Sequence, residues 1–314
     1  MKRGKRMKKG NKMKKLIATS VLSTALLIPA IAHAEENKTI QNSTATPKVA
    51  SVSKATQAKG WVKQQGKWYY YKNGKKVTGW SSIGGKWYYF SSYGIMQTGW
   101  VSIQDKKTGK YTYYYLNEST GAMHTGWTKV NGSWYFFNNN GVKQTGWLST
   151  GGKWYYLGSY GIMETGWTSF KDNKTGKYTY YYLDTNTGAM KTGWAQINGS
   201  WYFFNNNGVK QTGWLSTGGK WYYLDSSFGE MKTGRVSINN VYYHFDKSGA
   251  MQTGWQKWGN YWYYFNQNGS EYRGWLKLGG SWYYLDASFG DMRTGWVFIN
   301  NKWYHFNNNG VWVG

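Results

Sequence analysis

Several residue types are scarce in this chain of 314 residues, beginning with cysteine, which is absent. Without cysteine no disulfide can cross-link the fold. There are only two prolines, Pro29 and Pro47, and both precede residue 60, which leaves the rest of the chain free for uninterrupted strand pairing. Acidic residues are also few, with 13 against 39 Lys and Arg, and the formal net charge of +26 favours anionic partners.

Long apolar runs are also rare, and the main one lies near the N-terminus. Residues 1–15 carry nine Lys or Arg and no acid, and residues 16–31 form an apolar stretch that is followed by Ala-His-Ala. This pattern is typical of a secretory signal peptide, which we predict to span residues 1–34. The run is shorter than the roughly 20 residues of a membrane span, so we expect an exported protein with no membrane span.

Residues 35–59 are rich in Ser, Thr, Lys, Gln and Ala and contain no aromatic residue. Such a segment cannot bury enough apolar surface to offset its ordering entropy, and we predict a flexible linker. Removing the nine basic residues of the signal leaves 30 basic and 13 acidic residues, a net charge of +17 for the exported form.

A repeat occupies residues 60–314. Twelve units begin with a Gly-Trp pair or its equivalent, at intervals of about 20 residues with two long units of 27. Self-similarity at a short period predicts a solenoid-like array rather than one globular core. The starting positions are Trp61, Trp80, Trp100, Trp127, Trp147, Trp167, Trp194, Trp214, Arg235, Trp255, Trp275 and Trp296.

Each unit has the pattern of a β-hairpin. In residues 126–145, Asn131-Gly132 separates two short aromatic and β-branched runs, and both turn residues tolerate positive φ. With this pair at the centre of the turn, Lys129 opposes Trp134. In the two long units the turn expands, and we expect polar tips that project from the array.

Side chains alternate between the two faces of each hairpin. One face then carries mainly large aromatic rings, and the other carries a mixed apolar set. An isolated hairpin is marginal in water, so neighbouring units must stack. We therefore predict an all-β fold, a β-solenoid of about twelve stacked hairpins. In the fifth unit the aromatic face consists of Trp147, Trp154 and Tyr156, and the opposite face of Leu148, Tyr155 and Leu157.

The recurring pattern is Gly-Trp, then Gly-x-Trp-Tyr-Tyr-Leu, then Gly-x-Met-x-Thr-Gly-Trp, as in residues 146–167. It resembles the choline-binding or cell-wall-binding repeats of Gram-positive surface proteins and lytic enzymes. The resemblance covers residues 60–314, and related repeats occur in glucan-binding proteins and large glucosylating toxins. It implies a β-solenoid with ligand sites between consecutive repeats, lined by aromatic residues of both. In the choline-binding branch the ligand is choline on the teichoic acids of the wall.

The quaternary ammonium group of choline has no N–H to donate, so aromatic faces must supply the attraction. We predict a cage formed by Trp147 and Trp154 of one hairpin and Tyr182 of the next, with Met163 as a fourth wall. Equivalent sets are Trp61, Trp68 and Tyr89; Trp80, Trp87 and Tyr115; Trp127, Trp134 and Tyr156; Trp194, Trp201 and Tyr223; Trp214 and Trp221; Trp255, Trp262 and Tyr284; and Trp275 and Trp282.

Other positions have competing interpretations. Many Tyr and Phe rings, such as Tyr155 and Tyr222, are interpreted as stacking core. Lys143 and Lys210 replace Met in two units, where a positive charge disfavours choline but not an anionic or neutral sugar. Arg235 takes a Trp position, where its guanidinium either fills the cage itself or points to solvent.

Catalysis finds little support, because the acids recur at equivalent loop positions and form no unique constellation. His124, His244 and His305 lie far apart, so no metal or cofactor is expected. Export and scattered lysines argue against nucleic acid. We predict a non-catalytic, secreted protein associated with the wall surface, whose partner is a cell-wall polymer, either choline-bearing teichoic acid or a polysaccharide. The alternative is a surface adhesin that binds a glucan or galactosyl sugar, with polar groups such as residues 138–140 near the aromatic rings.

Overall fold

The computed structural model describes residues 58–314, and the predicted signal peptide and most of the predicted linker lie outside them. Within this range the chain forms 26 β-strands and no helix. Twenty-four strands pair as twelve antiparallel hairpins, which confirms the all-β repeat array. The hairpins are β1 and β2 (Gly60–Gln64, Lys67–Lys72), β4 and β5 (Gly79–Ile83, Lys86–Phe90), β6 and β7 (Gly99–Gln104, Tyr111–Leu116), β8 and β9 (Gly126–Val130, Ser133–Phe137), β10 and β11 (Gly146–Thr150, Lys153–Leu157), β12 and β13 (Gly166–Lys171, Tyr178–Leu183), β14 and β15 (Gly193–Ile197, Ser200–Phe204), β16 and β17 (Gly213–Thr217, Lys220–Leu224), β18 and β19 (Gly234–Ile238, Val241–Phe245), β21 and β22 (Gly254–Trp258, Tyr261–Phe265), β23 and β24 (Gly274–Leu278, Ser281–Leu285), and β25 and β26 (Gly295–Ile299, Lys302–Phe306), with two-residue third strands β3 (Lys75–Lys76) and β20 (Met251–Gln252).

The register of the hairpins follows their turn chemistry. Asn131 and Gly132 have φ values of 48° and 85°, as a two-residue turn between right-twisted strands requires. Lys129 pairs with Trp134, as predicted, and Trp127 pairs with Phe136. The starting aromatic residue and the second-strand aromatic therefore share one face of the hairpin.

The two long units extend both strands to six residues, in β6–β7 and β12–β13. Their tips are exposed and closed by an aspartate: Asp105 Oδ1 accepts hydrogen bonds from the N–H groups of Lys107 and Thr108, each at 2.8 Å. Asp172 does the same for Lys174 and Thr175. The longer turns are thus ordered polar tips, as the expanded sequence indicates.

Consecutive hairpins stack head to tail, the aromatic face of one against the opposite face of the next. Trp147 lies between Tyr156 of its own hairpin, at 5.3 Å between ring centroids, and Tyr181 of the following hairpin, at 5.0 Å. Edge-to-face pairs of this kind add to the burial of apolar surface. Each second strand in hairpins two to twelve ends on a side chain that is at most 1% exposed: Phe90, Leu116, Phe137, Leu157, Leu183, Phe204, Leu224, Phe245, Phe265, Leu285 and Phe306.

After each hairpin the chain forms a tight loop and returns beside the preceding hairpin. The N–H of Met163, for example, donates to the carbonyl of Trp134 in the unit before, at 2.8 Å. The equivalent bond recurs along the array at 2.7–2.9 Å. It brings the residue at the methionine position of one unit next to the second-strand aromatic of the preceding unit.

The loop glycine is expected to tolerate no side chain. Gly208 has φ 75°, and a Cβ there would overlap the side chain of Met190 in the preceding unit, whereas Gly213 has φ 78° with open space around it. We expect Gly213→Ala to lower the free energy of unfolding by about 1–2 kcal/mol through backbone strain. Gly208→Ala should cost about 1–3 kcal/mol more, because Met190 must also move. Denaturant unfolding of both variants measures the difference, and equal losses would contradict the assigned crowding.

Candidate functional site

Concave pockets lie between stacked hairpins, and the pocket beside the fifth hairpin is representative. It has a volume of about 350 Å³ and is lined by Trp147, Trp154, Tyr181, Met190, Asn206 and Asn207. The second hairpin carries an equivalent pocket of about 300 Å³, lined by Trp80, Trp87, Tyr114, Met123, Asn139 and Asn140. Three successive units contribute to each pocket: two Trp from the first, Tyr and Met from the second, and the loop asparagines from the third.

The positions of the rings follow from the hairpin register. Trp147 on β10 and Trp154 on β11 project from one face because their strand positions differ by an even number of residues in the ladder. Trp154 is 48% exposed, so one wall of the pocket faces solvent and leaves an entrance. None of the residues lining either pocket carries a charge, so the faces of the aromatic rings dominate the electrostatics.

The structure brings the predicted tryptophan pairs together but corrects the grouping with tyrosine and methionine. Tyr182 packs across its own hairpin against Trp167, at 5.1 Å, and the ring that reaches Trp147 is Tyr181. Likewise Met163 lies beside Trp134 of the preceding unit. The methionine in the pocket of Trp147 and Trp154 is Met190, not the predicted Met163. The prediction placed the tyrosine on the same face as the tryptophans, whereas head-to-tail stacking presents the opposite face of the next hairpin.

The same shift of one residue applies along the array. The predicted Tyr89, Tyr115, Tyr156, Tyr182, Tyr223 and Tyr284 all pack across their own hairpins. The rings that contact the starting Trp of the preceding unit are Tyr88, Tyr114, Tyr155, Tyr181, Tyr222 and Tyr283. Two of these, Tyr155 and Tyr222, were interpreted from sequence as stacking core. The sequence does place both tyrosines on the face opposite the tryptophans. When all hairpins stack in one direction, that opposite face contacts the tryptophans of the preceding hairpin, so these positions could have been identified.

Eight of the interfaces between consecutive hairpins carry two tryptophans. Seven combine the Trp pair with Tyr and Met from the next unit, and the eighth has Trp312 in place of Met, which gives four aromatic walls. The sets are Trp61, Trp68, Tyr88 and Met96; Trp80, Trp87, Tyr114 and Met123; Trp127, Trp134, Tyr155 and Met163; Trp147, Trp154, Tyr181 and Met190; Trp194, Trp201, Tyr222 and Met231; Trp214, Trp221, Tyr243 and Met251; Trp255, Trp262, Tyr283 and Met292; and Trp275, Trp282, Tyr304 and Trp312.

The carboxylates that recur in the loops serve the loops themselves. Asp225 Oδ1 accepts hydrogen bonds from the N–H groups of Ser227 and Phe228, each at 2.9 Å. The hydrogen bond from Lys232, together with these backbone bonds, lowers the pKa of Asp225 to about 2. Among residues 58–314 no group of His, Asp and Glu is arranged to hold a metal ion, and no helix is long and apolar enough to cross a membrane.

Comparison with known proteins places these repeats in a family. The family model described as choline-binding repeat matches residues 77–126, 124–160, 191–235 and 252–294, more than half of the chain. The chain belongs to the choline-binding repeat family. A second family model, for cell wall binding repeats, matches residues 59–74, 236–251 and 294–311 of this choline-binding repeat protein. No match is found among the curated proteins.

Solved structures similar to the choline-binding repeat protein include two proteins of Streptococcus pneumoniae. CbpJ of strain TIGR4 is 33% identical, with a TM-score of 0.56 over 82% of this chain and all of its own. Choline binding protein F, determined in the presence of a tetrasaccharide-pentapeptide peptidoglycan analogue, is 33% identical, with a TM-score of 0.55 over 81% of this chain and 98% of its own. CbpF in complex with ipratropium is 32% identical, with a TM-score of 0.53 and the same coverage.

Proposed function

We propose that this protein is exported, binds choline groups on the teichoic polymers of a cell wall through its double-tryptophan interfaces, and has no catalytic activity. The observation that carries the proposal is the pocket of Trp147, Trp154, Tyr181 and Met190, which is mainly apolar, open at one side and free of charged side chains. Aromatic faces and a thioether attract a trimethylammonium group that cannot donate hydrogen bonds.

The relatives support this ligand class. CbpF takes up ipratropium, which is itself a quaternary ammonium compound, and its repeats are similar to those of this chain. A ligand as small as choline makes few contacts, so each site should bind with roughly millimolar affinity. Eight such sites on one polymer supply avidity that a single site lacks.

A second candidate ligand is a neutral wall sugar. Asn206 and Asn207 border the same pocket as Trp147 and Trp154, and amide groups beside aromatic rings suit a sugar with hydroxyl groups. The structure of choline binding protein F was determined in the presence of a peptidoglycan analogue that contains a tetrasaccharide, which supports a saccharide as the second candidate. Titration with a glucan oligosaccharide in place of choline separates the two ligands.

Trp154→Ala tests the proposed site. Trp154 is 48% exposed, so its loss removes one wall of the cage while the stack remains folded. Equilibrium dialysis of labelled choline should then show one site fewer, seven rather than eight. Trp258→Ala is the matched control, since Trp258 is 47% exposed but lies outside the eight double-tryptophan sets. A folded Trp154→Ala protein that keeps every choline site would overturn the assignment.

A further inference from the structure

Three interfaces differ from the eight with paired tryptophans, and they are the third, sixth and ninth along the array. Their second-strand position is Tyr113, Tyr180 or Tyr242 instead of Trp. Each also places a cationic side chain inside the group of aromatic rings. The spacing is regular, because every third interface is of this kind among the hairpins that the structure describes.

In the third interface the cation is Lys143, which occupies the methionine position. The backbone N–H of Lys143 donates to the carbonyl of Tyr113 at 2.8 Å, as the backbone N–H groups of the methionines do elsewhere. The ammonium Nζ lies 4.6 Å from the ring centroid of Tyr113 and 5.7 Å from that of Trp100. At these distances the charge is attracted to both ring faces.

The same ammonium group also has a hydrogen-bond acceptor. Lys143 Nζ donates to the carbonyl oxygen of Tyr160, in the loop of the fifth unit, at 2.7 Å. The equivalent loop residues at the second and fifth hairpins' pockets are Asn140 and Asn207, which line those pockets. The lysine therefore reaches the region where a ligand would lie, and burial lowers its pKa below the ordinary value.

The sixth interface repeats this arrangement with Lys210. Its Nζ lies 4.9 Å from the centroid of Tyr180 and 5.7 Å from that of Trp167, and it donates to the carbonyl of Phe228 at 2.7 Å. Burial is again the main cause that lowers the pKa of the lysine. Two interfaces 67 residues apart thus have the same internal cation, ring contacts and acceptor.

In the ninth interface the cation comes from the first of the two hairpins, whereas Lys143 and Lys210 come from the second hairpin of their interfaces. Arg235 stands at the starting position, and its Cζ lies 3.9 Å from the centroid of Tyr242 and 4.8 Å from that of Tyr263. It donates to the carbonyl of Phe289 at 3.0 Å, the loop acceptor equivalent to those of the two lysines. The guanidinium side chain is 12% exposed, so of the two interpretations of Arg235 the structure supports self-filling over a side chain in solvent.

We propose that Lys143, Lys210 and Arg235 are permanent internal occupants of the aromatic cages at every third interface, which closes these cages to choline. The inference rests on the proposed function, because it names which interfaces of that function are excluded. A tethered cation loses no translational freedom on binding and, unlike a trimethylammonium group, can donate an N–H hydrogen bond to the loop carbonyl. The closed interfaces should hold neighbouring hairpins together whether or not ligand is present.

The test is a pair of opposite substitutions in the full chain. Lys143→Met restores the methionine of the open interfaces and should add one weak choline site in equilibrium dialysis, nine rather than eight. Met163→Lys introduces the internal cation into an open interface and should remove one site, leaving seven. Lys153→Met, at the exposed first position of β11 and outside the cages, is the control and should leave the number unchanged. Unchanged site numbers in both folded cage variants would overturn the proposal.

A second measurement separates failure of this inference from failure of the choline proposal. In ligand-free wild-type protein, the ring currents of Tyr113 and Tyr180 should shift the Cε proton resonances of Lys143 and Lys210 upfield from those of Lys153. This result needs no ligand. Shifts equal to those of Lys153 would overturn the internal occupancy, whereas shifted resonances with no choline bound anywhere would leave the occupancy standing and reject choline as the ligand.

Discussion

Free choline at about 100 mM should release this protein from cell walls that carry choline, while ethanolamine at the same concentration should leave most of it bound. Each cage is expected to bind choline with roughly millimolar affinity, so excess choline occupies nearly all eight. Attachment through many weak sites can exceed single-site affinity by about 10²–10⁴, and this gain disappears when the sites are saturated. Ethanolamine carries the same positive charge but no methyl groups to bury.

The measurement is the fraction of protein sedimenting with purified walls as each amine is titrated at constant ionic strength. Sodium chloride is the second control, because the exported form, with 30 basic and 13 acidic residues, also attracts an anionic polymer without using its cages. If salt and ethanolamine release the protein at the same concentrations as choline does, net charge causes the attachment. That result would contradict the cage mechanism. Release by a glucan oligosaccharide alone would favour the sugar alternative.

Glu271→Gln should be among the most destabilising single substitutions in the array, with a loss of about 3–5 kcal/mol in free energy of unfolding. The Glu271 side chain is 1% exposed and pairs with both Arg235 and Arg273. Both guanidinium groups also lie over the ring of Tyr242, with Cζ at 3.9 and 5.6 Å from its centroid. Without the carboxylate, two like charges share this buried region with no counter-charge.

The neighbouring histidine supplies no counter-charge. His244 is the cross-strand partner of Arg235, and burial lowers the pKa of its imidazole, which favours the neutral form. Glu271→Gln is compared with Glu118→Gln, which removes an exposed carboxylate that accepts only the hydroxyl of Tyr115. Denaturant unfolding should show a change within about 0.5 kcal/mol for the control.

A double-substitution cycle isolates the ion pair. Glu271 holds the methionine position of the ninth interface, where its backbone N–H donates to the carbonyl of Tyr242. Arg235→Met combined with Glu271→Met removes both charges and restores methionine at that position, so the loss of stability should be smaller than the sum of the single losses. Additive losses would indicate that the two side chains stabilise the stack independently, and would contradict the contact assigned between them.

Local sequence was sufficient to predict the individual hairpins. Asn131 and Gly132 accept positive φ, and this turn sets the pairing of Lys129 with Trp134 through backbone bonds between residues close in the chain. The pairing in turn places both tryptophans of a unit on one face. Period, strand positions and tryptophan pairs were therefore predictable because each depends on contacts within about twenty residues.

The composition of each cage depended on how one hairpin stacks on the next. Tyr181 and Tyr182 are adjacent and chemically identical, and only the head-to-tail stack decides that Tyr181 reaches Trp147 while Tyr182 packs in its own hairpin. The stacking of hairpins also decides that Met190 of the next unit, not Met163 of the same unit, lines that pocket. No pairing rule within a single hairpin contains this information.

The charged positions show the same division. The sequence by itself determined that Lys143, Lys210 and Arg235 stand where other units carry Met or Trp. Only the tertiary structure decided where their charges lie, because the acceptor of Lys143 is a loop carbonyl 17 residues away and the counter-charge of Arg235 is a carboxylate 36 residues away. Backbone pairing is set by neighbours in the chain, whereas a cage and its occupant are assembled from three successive hairpins.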